Sequence, residues 1–145
     1  MKTVHQYLPL STNQNVEIID ITQQIQQLIN IVEIRNGIVV ITSQHTTLAV
    51  NVNENEQRLL DDIAVFFEKI APKNETYLHN DIHLRDCPPD EPENAHAHLI
   101  AMCMGNSETV AIVDGKLVLG TYQSIMAIEL DGPRERKVSV QVMGS

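Results

Sequence analysis

The 145-residue chain has no tryptophan, and aromatics make up only 3% of it. A core built almost without large rings must be aliphatic. The Ile and Val runs supply it, and those β-branched residues favour strands. Basic residues are also scarce: 10 Lys and Arg stand against 19 Asp and Glu, for a formal net charge of −9. No basic cluster is longer than Arg134-Glu135-Arg136-Lys137. A surface of that sign repels phosphate backbones, which argues against nucleic acid and leaves room for one small phosphorylated metabolite held locally. No apolar run reaches the length of a membrane span, and Met1-Lys2-Thr3-Val4-His5-Gln6 lacks the apolar core of a signal peptide. Only two cysteines occur, Cys87 before Pro88-Pro89 and Cys103 in an apolar stretch. The simplest expectation is a cytoplasmic protein with two free thiols and no membrane partner.

Familiar short motifs are missing too. There is no HExxH, no CxxC pair, no P-loop and no dinucleotide fingerprint. Gly115-Lys116 has no upstream glycines and belongs to a hairpin.

What is present reads as one α+β domain over residues 1–145, a largely antiparallel or mixed β-sheet packed with a few α-helices. Residues 2–9 alternate loosely and predict a first strand, with the short apolar piece Val16 to Ile19 extending its hairpin. Ile21, Ile25, Leu28, Ile29 and Val32 recur at helical spacing and predict a helix over 22–32, capped by Asp20 or Thr22 and ended by Asn36-Gly37. Ile38-Val39-Val40-Ile41 and Leu48-Ala49-Val50-Asn51-Val52 read as strands, the first a continuous buried run. A helix over 55–70 carries Leu59, Leu60, Ile63, Phe66, Phe67 and Ile70 on one face, with Asn53 or Asn55 as its cap. Residues 73–93 are polar and proline-rich, an irregular segment of the kind that often carries function. Asn94 and Gly105 bracket a helix over 95–104. The last third predicts an antiparallel meander of strands at 109–113, 116–119, 124–130 and 138–142. Its turns are Asp114-Gly115 and Asp131-Gly132-Pro133-Arg134. Leu119-Gly120-Thr121-Tyr122-Gln123 breaks the strand pattern and reads as a β-bulge or a polar rim.

Three histidines lie in separate polar islands beside apolar segments: His45, His79 and His98. If the fold brings them together they form a metal site or an acid/base site. Three neutral imidazoles suit a divalent metal, zinc, manganese or magnesium, with acidic side chains orienting the rings. If it does not, they are isolated polar residues satisfied by neighbours such as Ser43 and Thr46. Residues two apart on a helix do not share a face, so at most one of His96 and His98 points inward. His98 shares its face with Ala101 and Met102 and is the expected one. Glu54 either suits the dipole of the following helix or points into a cleft shared with His45, and Asp61 or Asp62 reaches back towards the sheet.

Taken in order, several segments resemble the YjbQ-like family. They are His45-Thr46-Thr47, Asn53-Glu54-Asn55, Asp62, Tyr77-Leu78-His79, Asn94-Ala95-His96-Ala97-His98-Leu99, Leu119-Gly120-Thr121-Tyr122-Gln123 and Glu129-Leu130-Asp131-Gly132-Pro133-Arg134. The resemblance covers almost the whole chain. It implies a homotrimer with a cleft near the subunit boundary, lined by His45, Glu54, Asp62, His79, His98 and Arg134. It also implies a weak thiamine phosphate synthase activity, which joins a pyrimidine diphosphate to a thiazole phosphate and expels pyrophosphate. On this reading His45, Glu54, Asp62 and Arg134 are the catalytic candidates, and His45, His79 and His98 the metal candidates. The chain departs from the family at Tyr122, where Trp is frequent, and the stretch from Asn55 to Asp62 is shorter by one residue. Such a cleft looks rich in imidazole and carboxylate but poor in cations, with Arg134 its main positive charge. A hydrolytic role suits the same groups, and so does a non-catalytic protein that binds a metal or a phosphometabolite.

Overall fold

A computed structural model describes all residues, Met1 to Ser145. Two antiparallel sheets form its centre, and the fold is α+β as expected. The larger sheet has the order β1-β8-β3-β5-β6, formed by β1 (Lys2–Ser11), β3 (Gly37–Ser43), β5 (Ser107–Val113), β6 (Lys116–Leu117) and β8 (Glu135–Gly144). The smaller has the order β2-β7-β4, formed by β2 (Glu17–Asp20), β4 (Leu48–Asn53) and β7 (Ser124–Glu129). The helices are α1 (Thr22–Val32), α2 (Gln57–Ile70) and α3 (Ala95–Met104). No helix is long and apolar enough to cross a membrane.

Side-chain alternation explains the layering. On β4, Leu48 and Val50 join the main core with α1 and the larger sheet, while Ala49 faces a second core with Phe67 and Ile100 of α2 and α3. On β7, Ile125 and Ala127 face the first core and Ile128 the second. Both faces of the small sheet are therefore covered, which is why Ile125 to Glu129 are all buried.

The order of the late strands corrects the expected meander. Only β5 and β6 form a hairpin; β7 crosses to the small sheet and β8 returns to the large one between β1 and β3. Likewise β2 does not extend β1 but pairs with β7, Ile18 opposite Ile128. A second face had to be covered, and local hairpins alone could not cover it. The run 38–41 is not buried throughout: Val39 and Ile41 point into the core while Ile38 is exposed.

Several caps also differ from expectation. α1 ends at Glu33, which takes the left-handed conformation at φ 57°, before Asn36-Gly37 is reached. α2 begins after Glu56, whose carboxylate accepts from the Arg58 and Leu59 amides, rather than after Asn53 or Asn55. Of its apolar stripe only Phe67 is buried; Phe66 and Ile70 are exposed. Residues 119–123 form a turn and not a bulge: the Gly120 amide donates to Oε1 of Gln123. The segment 73–93 holds two short 3₁₀ turns, Leu78–Asn80 and Ile82–Leu84.

Candidate functional site

A cavity of about 450 Å³ opens where four pieces of chain meet. They are the β3–β4 connection, the 3₁₀ segment, the start of α3 and the β7–β8 turn. No hydrophobic residue lines it. His45, His79 and His98 all do, as does Arg134. Glu54 and Asp62 do not: Glu54 is half-buried after β4, its amide donating to Asn53, and Asp62 is exposed on α2. Asp61 is also exposed, its carboxylate accepting from Gln57. A larger hollow of about 780 Å³ lies between α1 and the β5–β6 hairpin. It holds no histidine, and its Arg35 is paired with Asp114, so its chemistry points nowhere comparable.

The cavity floor is a buried polar network. Arg136 donates to Glu129 from Nε and Nη2, the latter at 2.6 Å, and both side chains are almost wholly buried. Arg136 Nη2 also donates to Thr47 Oγ1, and Thr12 Oγ1 donates to Glu129. Arg136 lines the cavity, and its bonds to Glu129 and Thr47 run from Nε and Nη2 only. Sequence reading missed Arg136, yet a signal existed. On β8 the inward positions are 136, 138, 140 and 142, so Arg136 continues an apolar face and needs a buried partner. Glu129 is that partner, on the core face of β7 with Ile125 and Ala127.

Two further arginines stand on the rim. Arg134 pairs with Asp131 at 2.8 Å and also donates from Nε to the Asp131 carbonyl. Arg85 donates to the His79 carbonyl, which ties the 3₁₀ segment to the cavity. The expectation that Arg134 is the main cation is thus corrected: three guanidiniums line the cavity, Arg134 paired with Asp131, Arg136 with Glu129 beneath it, and Arg85 with no carboxylate partner. Nothing in the local sequence around Arg85 marks it; only the path of the irregular segment brings it here.

The imidazoles differ in their bonding. His45 Nε2 accepts the backbone amide of Lys137 at 3.1 Å, which places the proton of the neutral ring on Nδ1. Burial holds this imidazole below its ordinary value, and the Arg136 guanidinium pushes it further down. The rings of His79 and His98 meet edge to face, with centroids 4.8 Å apart. Burial, then the neighbouring His79, depresses His98. The structure turns both His96 and His98 inward, against the helix-face argument. α3 is covered on one side by β4 and on another by the first 3₁₀ turn. His96 is the more buried, and its Nδ1 is the one enclosed side-chain polar atom without a partner. Asn94 lines the cavity and donates to Asp131, while the capping role falls to Asn80, which accepts from the Ala95 amide.

The donor set does not fit a three-imidazole metal centre. Nowhere do three His, Cys, Asp or Glu side chains stand close enough together to hold an ion, and His45 has one ring nitrogen engaged by backbone. What the arrangement supplies is guanidinium and imidazole N–H donors and Thr and Asn hydrogen bonds around a polar hollow, with Arg85 the guanidinium that has no carboxylate partner.

Comparison with known proteins points to one family. Residues 6–145 match the family model described as UPF0047 protein YjbQ-like. A UPF0047 protein of Methanothermobacter thermautotrophicus is 43% identical over 144 residues, covering 99% of this chain and 94% of its own. A crystal structure of a YbjQ-like protein of unknown function from Sulfolobus solfataricus superposes with a TM-score of 0.89 at 36% identity, covering 99% of both chains. An uncharacterized conserved protein of the same family from Clostridium acetobutylicum gives 0.85 at 34% identity, over 95% of this chain and 99% of that one.

Proposed function

This chain belongs to the YjbQ-like UPF0047 family, and from that footing we propose that its polar cavity binds a small phosphorylated metabolite and acts on it as an enzyme. One observation carries the reading. Three arginines converge on one hollow in a chain that has only 10 basic residues and a net charge of −9. Concentrating cations against the overall charge is what an anionic group requires. Arg136 arrives already bonded on two edges, so little is lost in ordering it when a ligand binds.

The reaction that suits this set is one that releases charged phosphate. In thiamine phosphate synthesis the thiazole nitrogen forms a C–N bond as the C–O bond to diphosphate breaks. The departing diphosphate takes the electron pair. Arg85, Arg134 and Arg136 would stabilise that charge as it develops. The depressed His98 imidazole would move a proton at neutral pH in this or in a hydrolytic reaction. No step is assigned to a metal, because the donors do not assemble for one.

One observation favours the second reading, a binding protein without turnover. His45 spends its Nε2 on a backbone amide, which suits a fixed donor to a ligand better than a proton acceptor. The homotrimer implied by the family resemblance draws support from Phe66, Val65 and Ile70, exposed together on α2. In such an assembly Glu54 and Asp62, which do not line their own cavity, would be free to serve a neighbour's. The free thiols Cys87 and Cys103 suit a cytoplasmic setting.

The test is product formation from the pyrimidine diphosphate and thiazole phosphate, beside release of phosphate from a panel of phosphate esters and of pyrophosphate from a panel of diphosphate esters. Wild type is expected to turn over at least one of them, with loss in His98→Gln while the ligand still binds. Tight binding with no turnover by wild type leaves the binding protein. Loss of fold in the variant is checked by circular dichroism.

A further inference from the structure

A second hollow of about 550 Å³ adjoins the first. The two share Gln44, His45, Thr46 and His98 as a common wall. Their chemistry differs. Leu48, Ala101 and Met102 line the second, its exposed lining is more carbon than polar, and it holds no Asp, Glu, Lys or Arg. The first has no hydrophobic lining and all three guanidiniums. Met102 stands 82% exposed at the rim, an apolar side chain left in solvent beside a polar site.

We propose that the two hollows are one bipartite site, and that the half-apolar hollow receives the uncharged body of a phosphate ester whose phosphate lies among the arginines. This rests on the anion-binding reading above and adds the class of ligand. A phosphate group has no cationic partner in the second hollow, so its desolvation there would go uncompensated. An apolar or heteroaromatic ring gains by leaving water against Met102 and Ala101. The ester linkage then lies beside His45 and His98, the residues common to both hollows. His45 lines both hollows, and its Nδ1–H, left over once Nε2 accepts from Lys137, would be the donor there. Both volumes are in the range of small-ligand pockets, and one or two rings would suit the second.

Calorimetric titration of the full chain with inorganic phosphate, methyl phosphate, phenyl phosphate and 1-naphthyl phosphate tests this. Phenyl phosphate is expected to bind about tenfold tighter than inorganic phosphate, and methyl phosphate about equally to it. Met102→Asn should remove most of the aryl advantage and leave inorganic phosphate within about twofold, because Met102 touches only the second hollow. If phosphate binds but the aryl esters bind no tighter, the bipartite site is overturned and the anion reading stands. The bipartite site is also overturned if Met102→Asn weakens phosphate and aryl esters equally. If neither phosphate nor aryl phosphate binds, the anion reading falls and this inference with it.

Discussion

The backbone amide of Lys137 donates to Nε2 of His45 across 92 residues of sequence, at 3.1 Å. One strand end thereby fixes the tautomer of a ring on another. Neutral His45 carries its proton on Nδ1, on a ring that lines the cavity. Long-range ¹H–¹⁵N correlation spectra at pH 7.5 should show His45 as the Nδ1–H tautomer. An Nε2–H ring would contradict the bond and the donor role built on it.

Glu129 and Arg136 are a buried pair, and removing one partner leaves the other charge enclosed. Glu129→Gln or Arg136→Met should each cost about 3–5 kcal/mol of folding stability by urea denaturation. The paired change Glu129→Leu with Arg136→Met should cost less than either single change and abolish ligand binding, because Arg136 also lines the cavity.

Gly132 lies in the turn that carries Asp131 and Arg134 to the cavity. A Cβ there would press on the Gln14 carbonyl oxygen and the Glu129 side chain. Gly132→Ala should destabilise by about 1–3 kcal/mol and loosen the Arg134–Asp131 pair, read as a lower thermal midpoint and weaker phosphate binding.

His45, His96 and His98 are all held below the ordinary imidazole value of 6.5, with burial the largest cause for each. As pH falls through about 6.5 the unfolded chain takes up protons on these rings while the folded chain does not. Their neutral burial is therefore tolerated fully above that pH, and stability declines as pH falls below it. Urea midpoints at pH 8.0, 6.5 and 5.5 should decrease in that order. His96→Leu should flatten the trend, and it also removes the enclosed unpartnered Nδ1.

Much of the fold was legible because periodicity is local. The stripe Ile25, Leu28, Ile29 and Val32 predicted α1 to its observed bounds, and Asp114-Gly115 marked a true hairpin. Sheet membership was not legible. Whether β7 follows β6 or crosses to the other layer depends on which faces remain uncovered, and a strand's own residues do not state that. The site divided in the same way. Polar surroundings and the family resemblance single out His45, His79, His98 and Arg134, and all four line one cavity. Arg136 was passed over because a cation inside an apolar strand reads as surface until its partner Glu129 is in view. Arg85 depends on the course of an irregular loop, which has no periodicity to read.

On the proposed reading, the arginine-lined cavity binds a phosphorylated group. Titration of inorganic phosphate at low ionic strength, into wild type and into Arg85→Gln and Arg134→Gln, tests it most directly. One saturable site per chain is predicted, weakened roughly tenfold by either substitution and weakened again by added salt. Absence of binding in the wild type, or binding that both substitutions leave unchanged, would contradict it.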